Sequence, residues 1–247
     1  LLGSGSAASQ TVIGDIRLPR IIAAILVGAI LAVSGAVMQC VLNNPLASAS
    51  TLGVSQGAAF GAALGIIVFG GGVINSGATS VAVEINNPYI VTLCAFLFGS
   101  LSTVVILILS RLKKTLGPNG LILAGVALSS LFTGGSTLLQ YFADETKISA
   151  VVFWTFGNLG SASWKQILVL AIVFVLSFGY FLLNRWNYNA MESGPDTAKS
   201  LGVNTKAVLL VSMTVCSLTA AVAVSFVGII SFVGLVAPHI MRKFVGD

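Results

Sequence analysis

Apolar positions in this chain run in long unbroken blocks, without the short alternations that mark the elements of a water-soluble fold. Blocks of roughly 20 residues, enough to cross about 30 Å of hydrocarbon, fall approximately over 18–42, 51–70, 88–110, 121–142, 165–184 and 206–227. The apolar run from Ala207 to Met241 is too long for one crossing and short for two, and Gly228, Gly234 and Pro238 interrupt it. It reads as one full span followed by a short or broken one over 229–245. Broken membrane helices must line protein or water, because freed backbone groups cannot face lipid. Residues 146–160 are too few and too polar at their start to span, and predict a helix lying at the outer surface. The fold class expected is all-α: a polytopic transmembrane helical bundle, a single domain over 1–247.

Two local patterns stand out. In the second block Gly53, Gly57, Gly61 and Gly65 recur at every fourth position, on one helix face, where a neighbouring backbone can approach closely. The segment 187–205 is part of the only long polar run between two apolar blocks. Within it Pro195 suits a first helical position, where its missing N–H has no partner to lose. Asp196 follows where the helix dipole favours an anion, and Gly202 can take the left-handed conformation that ends a helix after Leu201. A compact helix between spans is a lever on which something outside the membrane can push.

Composition agrees with a membrane protein: 56% of residues are hydrophobic and 8% charged, against roughly 25% charged in soluble domains. The net charge of +5 is spread in ones to threes without interleaved aromatics, so no nucleic-acid partner is expected. Arg111, Lys113, Lys114, Arg185, Lys199, Lys206, Arg242 and Lys243 thread to one side. Arg17, Arg20, Lys147 and Lys165 thread to the other. The positive-inside rule places the first side, with the 187–205 lever, in the cytoplasm. Cys40, Cys94 and Cys216 are odd in number and sit in apolar blocks, which speaks against a disulfide framework. The chain opens on a Gly/Ser-rich lead without an initiator Met or a signal-peptide pattern, so a fragment is expected.

Catalytic chemistry is missing from the pattern. All seven acidic residues lie in predicted loops or at ends, whereas an ion-coupled carrier keeps a carboxylate inside the membrane. His239 is the single histidine, and no phosphate-binding Gly-x-x-x-x-Gly-Lys-Ser/Thr run occurs. No catalytic residue, resident cofactor or metal site is expected.

Six motifs in order resemble a known family. Arg17-Leu-Pro-Arg20 leads into the apolar run ending at Gln39. Asn44-Pro-Leu-Ala47, Leu52-Gly-Val-Ser-Gln-Gly57, Leu123-Ala-Gly-Val-Ala127, Ala198-Lys-Ser-Leu-Gly202 and Gly228-Ile-Ile-Ser-Phe-Val-Gly-Leu-Val-Ala-Pro-His239 follow. Together they resemble the FecCD-type permeases of ABC importers for iron–siderophore complexes, haem and vitamin B12. The resemblance implies a type II importer permease in the cytoplasmic membrane of a prokaryote, with about seven spans present of the family's ten. It also implies a second permease copy, as a homodimer or with a paralogue. A cytoplasmic ABC ATPase dimer holding ATP and Mg would bind below, and an extracytoplasmic substrate-binding protein above.

Residue by residue, Gly194, Pro195, Asp196, Thr197, Ala198, Lys199, Ser200, Leu201 and Gly202 match the family's coupling helix. Arg17 and Arg20 match its docking positions for the binding protein, and Asn44 and Leu46 its cytoplasmic gate. Gly117-Pro-Asn-Gly120 departs from the hydroxyl-bearing second gate of some relatives, so that role is not carried over. Gln39, Gln56 and Gln140 are candidates for the path lining or for bonds between helices. The cargo implied is a chelated iron complex, a siderophore foremost. The rival expectation is an ATP-independent secondary transporter or channel.

Overall fold

The computed structural model describes residues 12–77, 80–85, 87–112 and 117–245; Lys113, Lys114 and Asp247 lie outside them. Helix α1 (Leu18–Val41) follows directly on a π-helical turn, Val12–Arg17. A short α2 (Val54–Ile67) comes next, then a hairpin of β1 (Gly72–Gly77) and β2 (Ser80–Ile85). Four helices follow: α3 (Pro88–Leu112), α4 (Pro118–Tyr141), α5 (Glu145–Thr155) and α6 (Trp164–Leu183). The polar run forms α7 (Arg185–Glu192) and α8 (Pro195–Ser200), and the chain ends in α9 (Thr205–Val227) and α10 (Val233–Val245). Among the described residues the molecule is a helical membrane bundle with one antiparallel hairpin, in which Val73 pairs with Glu84 and Asn75 with Ala82.

Among the described residues five helices are long and apolar enough to cross a membrane: α1 with its leading turn, α3, α4, α6 and α9. The expected seven spans therefore resolve into five full-length helices and two short ones, α2 of 14 residues and α10 of 13. The local causes are clear. Gly53 takes a left-handed φ of 82° at the start of α2, so residues 51–53 turn instead of extending it. Ser48 and Thr51 satisfy that turn through their side chains. The Thr51 hydroxyl accepts from Ser48 N–H at 2.9 Å and donates to the Ser48 carbonyl at 2.8 Å. Gly228 and Phe232, with φ of 78° and 67°, separate α9 from α10 in the same way. The surface segment forms α5 over 145–155 only; Gly157, at φ 70°, then turns the chain into a 3-10 turn at Leu159–Ser161.

The core forms where small residues let backbones touch. A Cβ at Gly57 would lie 2.6 Å from the Phe98 carbonyl, and one at Gly61 would overlap the Cys94 carbonyl. Helix α2 is thereby pressed along α3, and Phe60, Phe98 and Phe132 close the seam with edge-on and tilted ring contacts. Helix α1 crosses α10 at Gly35 and Gly234. Pro238 removes the N–H that would bond the Gly234 carbonyl, and that carbonyl lies where a Cβ of residue 35 would stand. At the opposite end of α2, Lys147 of α5 donates to the terminal Ile67 carbonyl at 3.2 Å.

Candidate functional site

The two short helices α7 and α8 stand together at one end of the bundle. Asn184 ends α6, and Ser193-Gly194, with Gly194 at φ 104°, turns α7 into α8. Pro195 is the first residue of α8. Its far end closes with Gly202 N–H donating to Lys199 O at 2.9 Å and Val203 N–H to Ala198 O at 3.0 Å, while Gly202 sits at φ 82°. That pair of bonds around a left-handed glycine satisfies the last carbonyls of a helix. Asn204 then caps α9 by accepting from Ala207 N–H at 3.1 Å.

One side of this handle is anchored and the other open. Tyr188, Met191 and Ala198 are buried against the bundle. The Tyr188 hydroxyl shares a 2.9 Å hydrogen bond with buried Ser212 of α9. Burial pushes the Tyr188 phenol well above its ordinary range, a shift the Ser212 bond offsets only in part. Cys40 of α1 donates its thiol hydrogen to the Tyr188 carbonyl at 3.2 Å. Facing outward are Asp196, Thr197, Lys199, Ser200 and Leu201, the leucine 68% exposed. Lys199 pairs with Asp196 at 3.0 Å, a solvated pair that adds little stability.

The proposed gate residues lie at this same end, where α1 stops. The Asn44 side chain accepts from Leu46 N–H at 2.9 Å, closing a tight turn, and Leu46 projects outward at 63% exposure. Across from it, Asn44 Nδ2 reaches Asn119 Oδ1 of α4 at 3.5 Å, a long contact. Asn119 is in the Gly117–Gly120 segment that was not assigned a gate role, and these residues are 75 apart in sequence. A polar cavity of about 150 Å³ lies between the Asn43–Pro45 turn, Glu192 and Arg242. Gln39 borders it, donating Nε2 to the Leu235 carbonyl at 3.3 Å; its buried Oε1 has no partner among the described residues. Gln140 instead bonds within its own helix, to Ser136 O.

At the opposite end the two arginines differ. Arg17 is exposed at the last position of the π-helical turn. Arg20 lies across the backbone of Gly160, where a Cβ would stand 3.0 Å from its Nε. One is available to a visitor and the other is partly engaged by the chain.

Helix α4 carries a feature that was not singled out from sequence. Ser130, Thr133, Gly134 and Thr137 repeat at helical spacing along one exposed stripe. Each hydroxyl donates to the carbonyl four residues earlier, at 2.9 to 3.1 Å. The stripe thus shows a wet-compatible surface with its hydrogen bonds already satisfied. Its period of three and four is carried in the sequence by small and hydroxyl residues, which apolar periodicity does not register. Asn119, by contrast, has no local signal.

Similarity to known proteins covers the whole chain. The FecCD transport family model matches residues 1–247. A protein of Methanocaldococcus jannaschii assigned as an ABC transporter permease is 53% identical over 247 residues, which are 100% of this chain and 69% of that one. A Helicobacter pylori protein assigned as an iron chelatin transport system permease is 35% identical over 239 residues, 96% of this chain and 67% of its own. Other relatives are named for molybdate, hemin and vitamin B12 transport. A solved inward-facing structure, assigned to a metal-chelate type ABC transporter, superposes with a TM-score of 0.83 at 33% identity. It is matched over 100% of this chain and 74% of its own length.

Proposed function

The chain belongs to the FecCD transport family and is an ABC-importer permease, a membrane transporter and not itself a catalyst; from that premise we propose that it carries a chelated iron complex inward. A siderophore is the foremost cargo, with haem and cobalamin as alternatives, and a relative named for molybdate import makes that oxyanion the comparison to run. In this reading the chain works in the cytoplasmic membrane of a prokaryote, paired with a second permease copy around a central path. ATP and Mg are held by a cytoplasmic ATPase dimer and no cofactor by this chain.

The observation that carries the coupling role is the handle: anchored through Tyr188, Met191 and Ala198, open through Asp196 and Leu201. Residues Gly194–Gly202 enter the ATPase, and closure of the ATPase dimer displaces them. Such coupling needs an element with two packings that both partners bias. The short helices α2 and α10 fit that requirement, since their starts at Gly53 and Phe232 are turns and not continuous helix. Asn44 and Leu46 close the path at the handle's end, and the hydroxyl stripe of α4 lines it. Arg17 offers a cation to acidic side chains of the loaded binding protein, with Arg20 a lesser contributor.

The test uses the permease with its ATPase in proteoliposomes. Leu201→Trp and Asp196→Arg are expected to uncouple ATP hydrolysis from uptake of the iron chelate; unchanged ATPase binding and uptake would refute the lever. Arg17→Glu is expected to weaken docking of the binding protein and flatten its salt dependence. Uptake that persists without nucleotide would instead favour the ATP-independent transporter.

A further inference from the structure

A second cavity, of about 390 Å³, shares Cys40 and Asn43 with the polar one but is lined by neither Asn44 nor Leu46. It opens where the ends of α1 and α3 meet the starts of α4 and α9. Its walls include Val41, Leu121, Leu209 and Leu210, and its polar rim holds Arg111 and Lys206. Both cations are exposed, and neither forms an ion pair among the described residues. Among the described residues no carboxylate lines the cavity. Arg111 is in the last turn of α3 and Lys206 in the first turn of α9, the depth at which span ends meet lipid headgroups.

We propose that this cavity binds an anionic phospholipid of the leaflet on the handle's side. The phosphate sits between the Arg111 guanidinium and the Lys206 ammonium, and one acyl chain lies along Leu209, Leu210 and Leu121. Basic pockets between membrane helices on the cytoplasmic side hold such headgroups. A soluble phosphate would satisfy the two cations and leave the leucine wall uncovered, so the combination selects a molecule that is charged at one end and apolar at the other. Pro195, the first residue of α8, also borders the cavity. A bound lipid would therefore press on the handle itself, an effect that rests on the coupling role proposed for Gly194–Gly202. Lipid binding does not depend on that role.

The experiment is native mass spectrometry of the intact permease–ATPase complex, released from phosphatidylcholine nanodiscs with or without phosphatidylglycerol. The wild type is expected to retain phosphatidylglycerol selectively on the permease. Arg111→Gln or Lys206→Gln should weaken retention roughly fivefold and the double substitution roughly thirtyfold. Lys165→Gln, at the other end of the bundle, should retain it fully. Leu210→Trp, which fills the apolar wall and keeps both charges, should also lower retention. No selective adduct on the wild type, or equal retention by the double variant, would overturn the site. So would displacement of the lipid by inorganic phosphate, which would mark a soluble-anion site. Loss of ATPase binding by the charge variants in lipid-free detergent would overturn it too, by assigning the cations to protein contact. If lipid is retained while ATPase activity ignores it, the site stands and the lever reading of α8 is weakened.

Discussion

Helices α2 and α6 are both apolar, yet ten of the 14 residues of α2 are buried and only four of the 20 in α6. The difference does not lie in hydrophobicity. Helix α2 is built of Gly, Ala and Ser on the faces that meet α3, whereas α6 presents Leu168, Val175, Leu176 and Leu183 outward. In lipid, large apolar side chains gain nothing by leaving the hydrocarbon, so association falls to small residues that bring backbones into van der Waals contact. Between these two helices, side-chain size, not hydrophobicity, decides which one is enclosed.

Glycine provides the sharpest way to break that contrast. Gly61→Val places a Cβ on the Cys94 carbonyl of α3, which no rotamer change relieves. A destabilisation of about 3 kcal/mol is expected, read as a large fall in thermal midpoint of the detergent-solubilised protein. A midpoint within a degree of wild type would show that α2 is not locked to α3. Gly35→Ala should do comparable harm at the α1–α10 crossing, where the Gly234 carbonyl occupies the space.

The next effect is at Tyr188. Tyr188→Phe leaves Ser212 buried without its partner, at a cost of roughly 1–2 kcal/mol. Because burial raises the folded phenol above its ordinary value of 10.0, its contribution is complete below that pH and is lost as pH rises beyond it. Wild-type stability should therefore fall on the alkaline side, and the phenylalanine variant should lack that slope in a pH series of melts. Ser102→Ala removes the 2.7 Å bond that Ser102 donates to the Leu52 carbonyl. About 0.6 kcal/mol is expected, the usual worth of a hydrogen bond between membrane helices.

Gly179 gives the smallest effect and the control. It lies in α6 with open space where a Cβ would go, so Gly179→Ala should be neutral or stabilising by about 0.5 kcal/mol. Marked destabilisation there would refute the size argument.

How much of this was legible in the residues follows from the range of each signal. The long apolar blocks foretold the helical membrane bundle, because crossing lipid demands length and continuity that composition displays directly. The ends of α8 were legible because Pro195 and Gly202 act on their own backbone within one turn. The shortness of α2 was not: Leu52-Gly53-Val54 reads as apolar sequence, and only the left-handed φ of Gly53 stops the helix. The hairpin was passed over as well, although Val73, Ile74, Val81 and Val83 are strand formers around Asn75-Ser76-Gly77. The contact of Asn44 with Asn119 joins distant segments through tertiary packing, and no local periodicity encodes it.

The thiol of Cys40 ties α1 to α7. It touches the Tyr188 carbonyl only four residues before Asn44 begins its turn, so the proposed lever and the proposed gate hang from the same short stub of α1. In the proposed mechanism, force arriving from an ATPase would need no relay across the bilayer to reach the gate. On that proposal the stiffness of the stub would set how faithfully a push becomes an opening, and softening it should cost uptake per nucleotide before it costs affinity for any partner.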